Sequence, residues 1–378
     1  MSEAKPLQIA ILRERAAGEQ RVAASPETVS KFVKLGAQVA VESGAGELAA
    51  IPDAAFAEAG ASVGTANKTV KDADIVLGIQ APDVALLKGA KAGAMVAALF
   101  DPFGDADRVK AYAKAGLEAL SMEFMPRITR AQSMDVLSSQ SNLAGYKAVL
   151  AAADTYGRAF PMMMTAAGTV QAARCFVMGV GVAGLQAIAT ARRLGAQVSA
   201  TDVRSATKEQ IESLGAKPIF VEDVAGIEGE GSGGYATEMS EEYQKAQAEL
   251  VSSHIAKQDI VITTALIPGR AAPRLISDAQ IASMKPGSVI FDLAAPAGGN
   301  VEGCKPDTLV EKHGVTIMGY SNTPSHLPAD ASALFARNHY SFLTAFWDEE
   351  TGGPVLDEEI GNAVRLTKGG EVVNERLQ

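Results

Sequence analysis

Apolar residues in the first third of the chain come as short runs set between stretches of helical spacing. Residues 8–12, 38–42, 74–79, 94–100 and 118–124 are too brief for helices and are bounded by polar or glycine-bearing segments, which predicts strands. Residues 26–35 and 107–115 repeat their apolar positions every three or four residues, which predicts helices. Strands alternating with helices need crossover connections, and so a mainly parallel sheet covered on both faces.

The pattern turns helical over residues 138–153, and residues 157–167 read as an irregular, methionine-rich bridge. A second series of short apolar runs follows at 175–179, 197–201, 217–220, 260–263, 288–292 and 315–318. Helical spacing resumes over 329–347, and a helix there can return to the first domain. The expectation is therefore a discontinuous domain of residues 1–135 plus 330–378, with a second domain of residues 136–329. Residues 364–367 and 371–373 flank Lys368-Gly369-Gly370 as a hairpin would. The run GIEGEGSGG at 226–234 suits either a mobile flap or a plain connector.

One motif carries chemistry by itself. Gly179, Val180, Gly181, Val182, Ala183 and Gly184 follow the strand-like RCFVM and open a predicted helix over 182–194 that Gly195 can end. In such a turn the first glycine permits the tight bend and the second lets backbone approach a pyrophosphate. The third allows close packing of helix on strand, while the helix amino terminus faces the phosphates. The next strand ends at Asp202, followed by Val203 and Arg204; a carboxylate there accepts from ribose hydroxyls and repels a 2′-phosphate, favouring NAD. Arg204 then reads as adenine-side packing or a surface ion pair. After the run IVIT, Thr264, Ala265 and Leu266 stand where dinucleotide folds meet the nicotinamide half. The fold class is α/β, with two Rossmann-like domains of mainly parallel sheets, the second doubly wound and dinucleotide-binding.

About thirty residues before that motif the chain reads PRITRAQSMDVLSSQSNLAGY. Arg127, Arg130, Gln132, Asp135, Ser138, Ser139, Gln140, Ser141 and Asn142 offer charge, amides and hydroxyls, but no His, Cys or Lys for ordinary acid, base or nucleophile work. A cradle for a polar ligand and a solvated loop with helix caps both fit these residue types.

Composition narrows the classes. With 378 residues, 47% of them hydrophobic and 5% aromatic, two packed α/β domains are the natural outcome. A net charge of −10 and a pI near 5.1 leave no basic face for nucleic acid. Cys175 and Cys304 are the only cysteines, and His254, His313, His326 and His339 lack metal spacing; neither a disulfide framework nor a metal site is expected. The start MSEAKPLQIAIL lacks a secretory pattern, and uncharged stretches such as 175–191 fall short of the roughly 20 apolar residues of a spanning helix. A chain that begins here, stays in a reducing cytoplasm and crosses no membrane is expected.

The segments RITRAQSMDVLSSQSNLAGYKAV, FPMMMTAAGTV, GVGVAGLQAIATARRLGA, ATDVR, ITTALIPGR and MKPGSVIFDLA, in this order, resemble the NAD(H)-binding subunit of proton-translocating nicotinamide nucleotide transhydrogenase. The likeness covers nearly the whole chain and extends to alanine dehydrogenase. It implies that Arg127, Ile128, Thr129, Gln132, Ser133, Met134, Asp135 and Ser138 line the nicotinamide and its ribose, with Arg127, Gln132, Asp135 and Ser138 setting the reaction geometry. It also implies that Gly234, Tyr235 and Met239 belong to a mobile loop closing over NAD(H). The implied partners are the NADP(H)-binding domain of another subunit, membrane-spanning subunits that couple hydride transfer to proton movement, and a second copy in a homodimer. The chain would then sit on the cytoplasmic side of an inner membrane. Alanine dehydrogenases use an Arg, a Lys and a His on the keto acid; here Arg21 fits the first, but Gln80 and Asp101 stand near the other two places. Hydride exchange between two nicotinamides needs no proton donor at carbon, so this departure favours transhydrogenase over an amino-acid dehydrogenase or a non-catalytic nucleotide-binding regulator.

Overall fold

The computed structural model describes residues 6–221, 241–267 and 269–378. They form two compact units: one runs up to Gln140 and takes in Ser325–Gln378, and the other is Ser141–Pro324.

The first unit is a six-stranded parallel sheet. Its strands are β1 (Gln8–Ile11), β2 (Gln38–Glu42), β3 (Ser62–Gly64), β4 (Ile75–Gln80), β5 (Met95–Leu99) and β6 (Glu118–Ser121), in the order β3-β2-β1-β4-β5-β6. Helices α1 (Pro26–Lys34), α2 (Asp53–Glu58), α3 (Ala66–Val70) and α4 (Ala106–Lys114) make the connections. Five successive residues of β4, IVLGI, are buried, as a strand covered on both faces requires. Helix α1 starts where the sequence provides for it: Ser25 caps with its hydroxyl and Pro26 occupies the first turn, while Val29 and Phe32 face the core. The strand expected to reach Phe124 stops at Ser121. Glu123 causes the stop, since its carboxylate accepts the N–H groups of Phe100 (2.8 Å) and Asp101 (2.7 Å), and Met122–Phe124 forms a 3-10 turn.

A 3-10 turn over Thr129–Met134 leads into α5 (Val136–Thr155), which begins in the first unit and ends in the second. The bridge expected to be irregular contains a hairpin, β7 (Met163–Thr165) against β8 (Gly168–Val170). Met162, Met163 and Met164 on it are 61%, 43% and 80% exposed, an unusual run for so apolar a residue.

The second unit holds β9 (Arg174–Met178), α6 (Val182–Arg193), β10 (Gln197–Thr201), α7 (Thr207–Ser213), β11 (Lys217–Pro218), α8 (Glu241–Ile255), β12 (Ile260–Thr263), α9 (Asp278–Ser283), β13 (Val289–Asp292), β14 (Val310–Lys312) and β15 (Val315–Met318). The sheet order is β11-β10-β9-β12-β13-β15-β14, parallel except for β14. Strand order reverses between β9 and β12, and in open α/β sheets the crevice beyond the carboxyl ends at that reversal is where ligands bind.

Returning to the first unit, α10 (Pro328–Ala345) lays Phe335, Phe342 and Leu343 into the core beside Val29 and Phe32, and Tyr340 meets the Phe32 ring edge-on at 5.2 Å. A short pair, β16 (Trp347–Asp348) and β17 (Gly353–Pro354), precedes α11 (Glu358–Val364). The carboxyl-terminal hairpin is β18 (Thr367–Lys368) with β19 (Glu371–Val372), turning on Gly369 and Gly370.

Candidate functional site

The three fingerprint glycines answer to three different constraints. Gly179 has φ +97°, a left-handed conformation that side chains resist, and a Cβ there would lie 2.5 Å from Thr264 Oγ1. Gly184 stands in the first turn of α6 so close to the strand exit that a Cβ would lie 1.9 Å from the Gly179 carbonyl oxygen. Gly181 is different. Its φ of −79° suits any residue, and a Cβ there would meet nothing within 4 Å. Neither conformation nor packing demands glycine at 181, so the open space it leaves over the amino terminus of α6 is what a pyrophosphate needs. The residues present fit that group.

Asp202, 7% exposed, closes the strand beside this turn. Its carboxylate accepts the Val180 N–H (2.7 Å), the Arg204 N–H (2.9 Å) and the Arg204 guanidinium through Nε and Nη2 (2.9 Å each). Burial pushes this carboxyl up, but the Arg204 and Val180 hydrogen bonds outweigh it and hold the group below the ordinary aspartate value, so it is ionised at neutral pH. Arg204 forms an ion pair, one of its two expected roles. Val203, between them, is half-buried. A ribose hydroxyl reaching Asp202 must share its oxygens with Arg204.

Across the strand reversal, Thr264 Oγ1 donates to the Gly179 carbonyl at 3.0 Å, joining the exits of β9 and β12. Ala265 is gripped by Asn300, whose Oδ1 accepts its N–H (3.0 Å) and whose Nδ2 donates to its carbonyl (2.9 Å) and to that of Pro273 (2.8 Å). The fully buried Asp292 accepts from Thr263 Oγ1, Ala294 N–H and Val301 N–H at 2.9–3.0 Å, and burial raises its pKa. Sequence inspection passed over Asn300 and Asp292; the signal available was a polar residue after the paired glycines 298 and 299, both at positive φ. Leu266, 49% exposed, is left beside the crevice.

In the first unit the polar segment divides by face. Arg127, Thr129, Arg130, Gln132 and Ser133 are exposed and Ile128 is half-buried, while Ala131, Met134 and Val136 are in the core. Asp135 caps α5: its carboxylate accepts the Ser138 N–H (2.9 Å) and Ser138 Oγ (2.6 Å). Arg130 pairs with Asp357 and Glu359 at 2.6 and 2.5 Å. The loop alternative therefore accounts for Asp135 and Ser138 as a cap, but gives no reason for Gln132 to stand exposed on an anchored turn. The fingerprint and its neighbours come together in the second unit, and residues 127–138 in the first. Gly234, Tyr235 and Met239 lie outside the described residues.

Arg21, 3% exposed, is held by Glu19 through Nε (2.7 Å) and Nη2 (2.6 Å), and by Gln140 Oε1 (2.8 Å). Gln80 Nε2 donates to the same Glu19 at 3.1 Å, and Asp101 is exposed at φ +47°. A keto-acid carboxylate would have to displace Glu19 from this arginine. Burial pushes the Glu19 carboxyl up, yet Arg21 and Gln80 bring it down to about 2, so the pair is ionised and closed. Among the described residues no three His, Cys, Asp or Glu side chains gather as a metal site, and no helix is long and apolar enough to cross a membrane.

Comparison with known proteins agrees with this layout. Residues 10–144 match the family model "Alanine dehydrogenase/PNT, N-terminal domain" and residues 148–375 match "Alanine dehydrogenase/PNT, C-terminal domain". The first of the polypeptides that make up the NAD(P) transhydrogenase alpha subunit of Rhodospirillum rubrum is 52% identical over 382 residues, covering 98% of this chain and 99% of that protein. The crystal structure of transhydrogenase from Sinorhizobium meliloti superposes with a TM-score of 0.88 at 53% identity, covering 97% of this chain and 99% of that one. An L-alanine dehydrogenase structure, at 22% identity and TM-score 0.80 over 98% of both chains, shares the fold. The chain belongs to the alanine dehydrogenase/PNT family, and within it to the NAD(P) transhydrogenase alpha subunits.

Proposed function

We propose that this chain is the NAD(H)-binding component of a proton-translocating transhydrogenase and that it presents NADH for direct hydride transfer to NADP⁺ on a partner subunit. The observation that carries the proposal is the open space at Gly181 above the start of α6, beside a carboxylate held ionised at the end of the neighbouring strand. Bound NADH supplies a hydride at C4 of its ring, and NADP⁺ on the partner accepts it. The chain's own residues bind and orient. Backbone N–H groups at the start of α6 hold the pyrophosphate, and Asp202 takes the adenosine ribose. Asn300 and Thr264 fix the loop from Thr264 to Leu266 on which the nicotinamide half rests. Arg127, Ile128, Thr129, Gln132, Ser133, Met134, Asp135 and Ser138 form the segment that sets ring geometry, an assignment that rests on the family likeness. No acid or base is required of any of them, in keeping with a segment free of His, Cys and Lys.

The same proposal makes the chain peripheral to an inner membrane on the cytoplasmic side, held by membrane-spanning subunits that carry the protons. A second copy completes a homodimer, for which the exposed methionines of the β7–β8 hairpin offer an apolar surface. The competing function, an alanine dehydrogenase, conflicts with the closed Arg21–Glu19 pair and with glutamine at position 80. One experiment separates the two. The purified chain with NADH is mixed with an NADP⁺-loaded partner domain, and in parallel with pyruvate and ammonium. NADPH formed only when the partner is present supports the proposal; rapid NADH oxidation by pyruvate overturns it.

A further inference from the structure

A buried chain of hydrogen bonds ends on the backbone of the polar turn Thr129–Met134. Asn338, in the middle of α10 and 7% exposed, donates through Nδ2 to the Ser133 carbonyl at 2.8 Å and accepts from Ser139 Oγ at 2.7 Å through Oδ1. Gln140, 6% exposed, donates to Ser139 Oγ (3.2 Å) and to the Ala331 carbonyl of α10 (3.1 Å). Its Oε1 accepts from Arg21, which Glu19 holds in turn, and Gln80 and Ser325 close on that carboxylate. A polar network this deep is costly unless its members are satisfied, and one that is satisfied fixes geometry. Its last member grips the peptide next to Gln132.

We propose that Asn338 is a positioning residue for hydride transfer: it touches no nucleotide, but locks the Ser133 carbonyl and with it the presentation of Gln132. The assignment depends on the function proposed above. It also gives Arg21 a task other than substrate binding, since through Gln140 and Ser139 the arginine braces the same turn. Two features separate positioning from mere stability. The amide reaches two successive elements, the turn and the first turn of α5, so its loss frees the turn while the apolar underside formed by Ala131, Met134 and Val136 still anchors the fold. And the two bonds differ in direction, so Asn338→Asp keeps the acceptor for Ser139 and loses only the donor to Ser133.

The test compares the parent chain with Asn338→Asp, Asn338→Ala and the control Ala336→Gly, which weakens α10 by about 1 kcal/mol without touching the network. Single-turnover hydride transfer from NADH to an NADP⁺-loaded partner domain is measured beside the NADH dissociation constant and amide exchange over residues 129–135. Both Asn338 variants are expected to transfer roughly 10- to 100-fold more slowly, as a displacement of about 1 Å would cause. NADH affinity stays within about threefold, exchange over 129–135 speeds up, and Ala336→Gly transfers at the parent rate. Transfer by Asn338→Asp within twofold of the parent overturns the role of Asn338, as does an equal loss in Ala336→Gly or a loss that merely tracks NADH affinity. If the parent itself transfers nothing, the function proposed above falls and this role with it.

Discussion

Replacing Gly181 by alanine separates what the glycine turn does for the fold from what it does for the nucleotide. The new Cβ meets nothing within 4 Å and the backbone there is extended, so the apo protein should barely notice. An alanine in place of glycine at a helix N-cap costs under about 1 kcal/mol, or roughly 2 °C in a chain of this size. The pyrophosphate, in contrast, meets a methyl group where it needs backbone N–H. Losing one charge-assisted hydrogen bond costs about 1.5–3 kcal/mol, which is roughly a 10- to 150-fold weaker NADH dissociation constant. Gly184→Ala inverts the pattern. Its Cβ would sit 1.9 Å from the Gly179 carbonyl, where ordinary contacts begin near 3.4 Å, so helix and strand must part by about 1.5 Å (3.4 less 1.9). Overpacking of this kind costs about 1–3 kcal/mol of stability. Thermal unfolding without nucleotide and NADH titration by calorimetry read the two effects. If Gly181→Ala binds NADH within twofold of the parent, or loses as much stability as Gly184→Ala, the turn does not seat a pyrophosphate.

Four further outcomes are expected. Asp202→Asn should weaken NADH binding and narrow the preference over NADPH, because Arg204 is freed from the carboxylate and a 2′-phosphate is no longer repelled; equal NADH and NADPH affinities in the parent would contradict this. Gln132→Asn should slow hydride transfer far more than it weakens NADH binding, and an unchanged rate refutes a geometric role. Met164→Glu should shift the sedimenting species from dimer to monomer, and a persistent dimer places the interface elsewhere. Burial raises the Glu14 carboxyl to about 7, against the Ile79 and Gln80 N–H groups and Arg21, which lower it, and with Glu19 adding to the rise. Because the folded pKa lies above the unfolded one near 4.5, stability at this site is present below pH 4.5 and lost as pH climbs to about 7. Glu14→Gln should therefore gain melting temperature relative to the parent between pH 5 and pH 8, and a difference flat across that range contradicts the assignment.

Sheet order and crossover were legible because strands covered on both faces are written as unbroken apolar runs, as in IVLGI of β4 or RCFVM at β9. Missed boundaries have local causes: Glu123 ends β6 early by taking the Phe100 and Asp101 amides, a contact 22 residues apart that no window of neighbours contains. The small elements β3, α2, α3 and α11 likewise depend on tertiary packing more than on their own few residues. At the candidate site, glycine spacing and Asp202 stood out because their constraint is local. Asn300, Asp292 and Asn338 did not, since each acts by reaching backbone brought near only by folding: Asn338 and Ser133 are 205 positions apart. The polar segment was visible from its composition alone, but its division into a capping pair, Asp135 with Ser138, and an exposed Gln132 needed coordinates.

The most direct test of the account uses NADH carrying deuterium in the transferable position at C4, this chain, and an NADP⁺-loaded partner domain in ordinary water. Direct transfer between two nicotinamides predicts that the deuterium appears at C4 of NADPH without dilution by solvent and only when both proteins are present. Deuterium lost to water, or delivered to pyruvate and ammonium as alanine while NADP⁺ stays unlabelled, would contradict it.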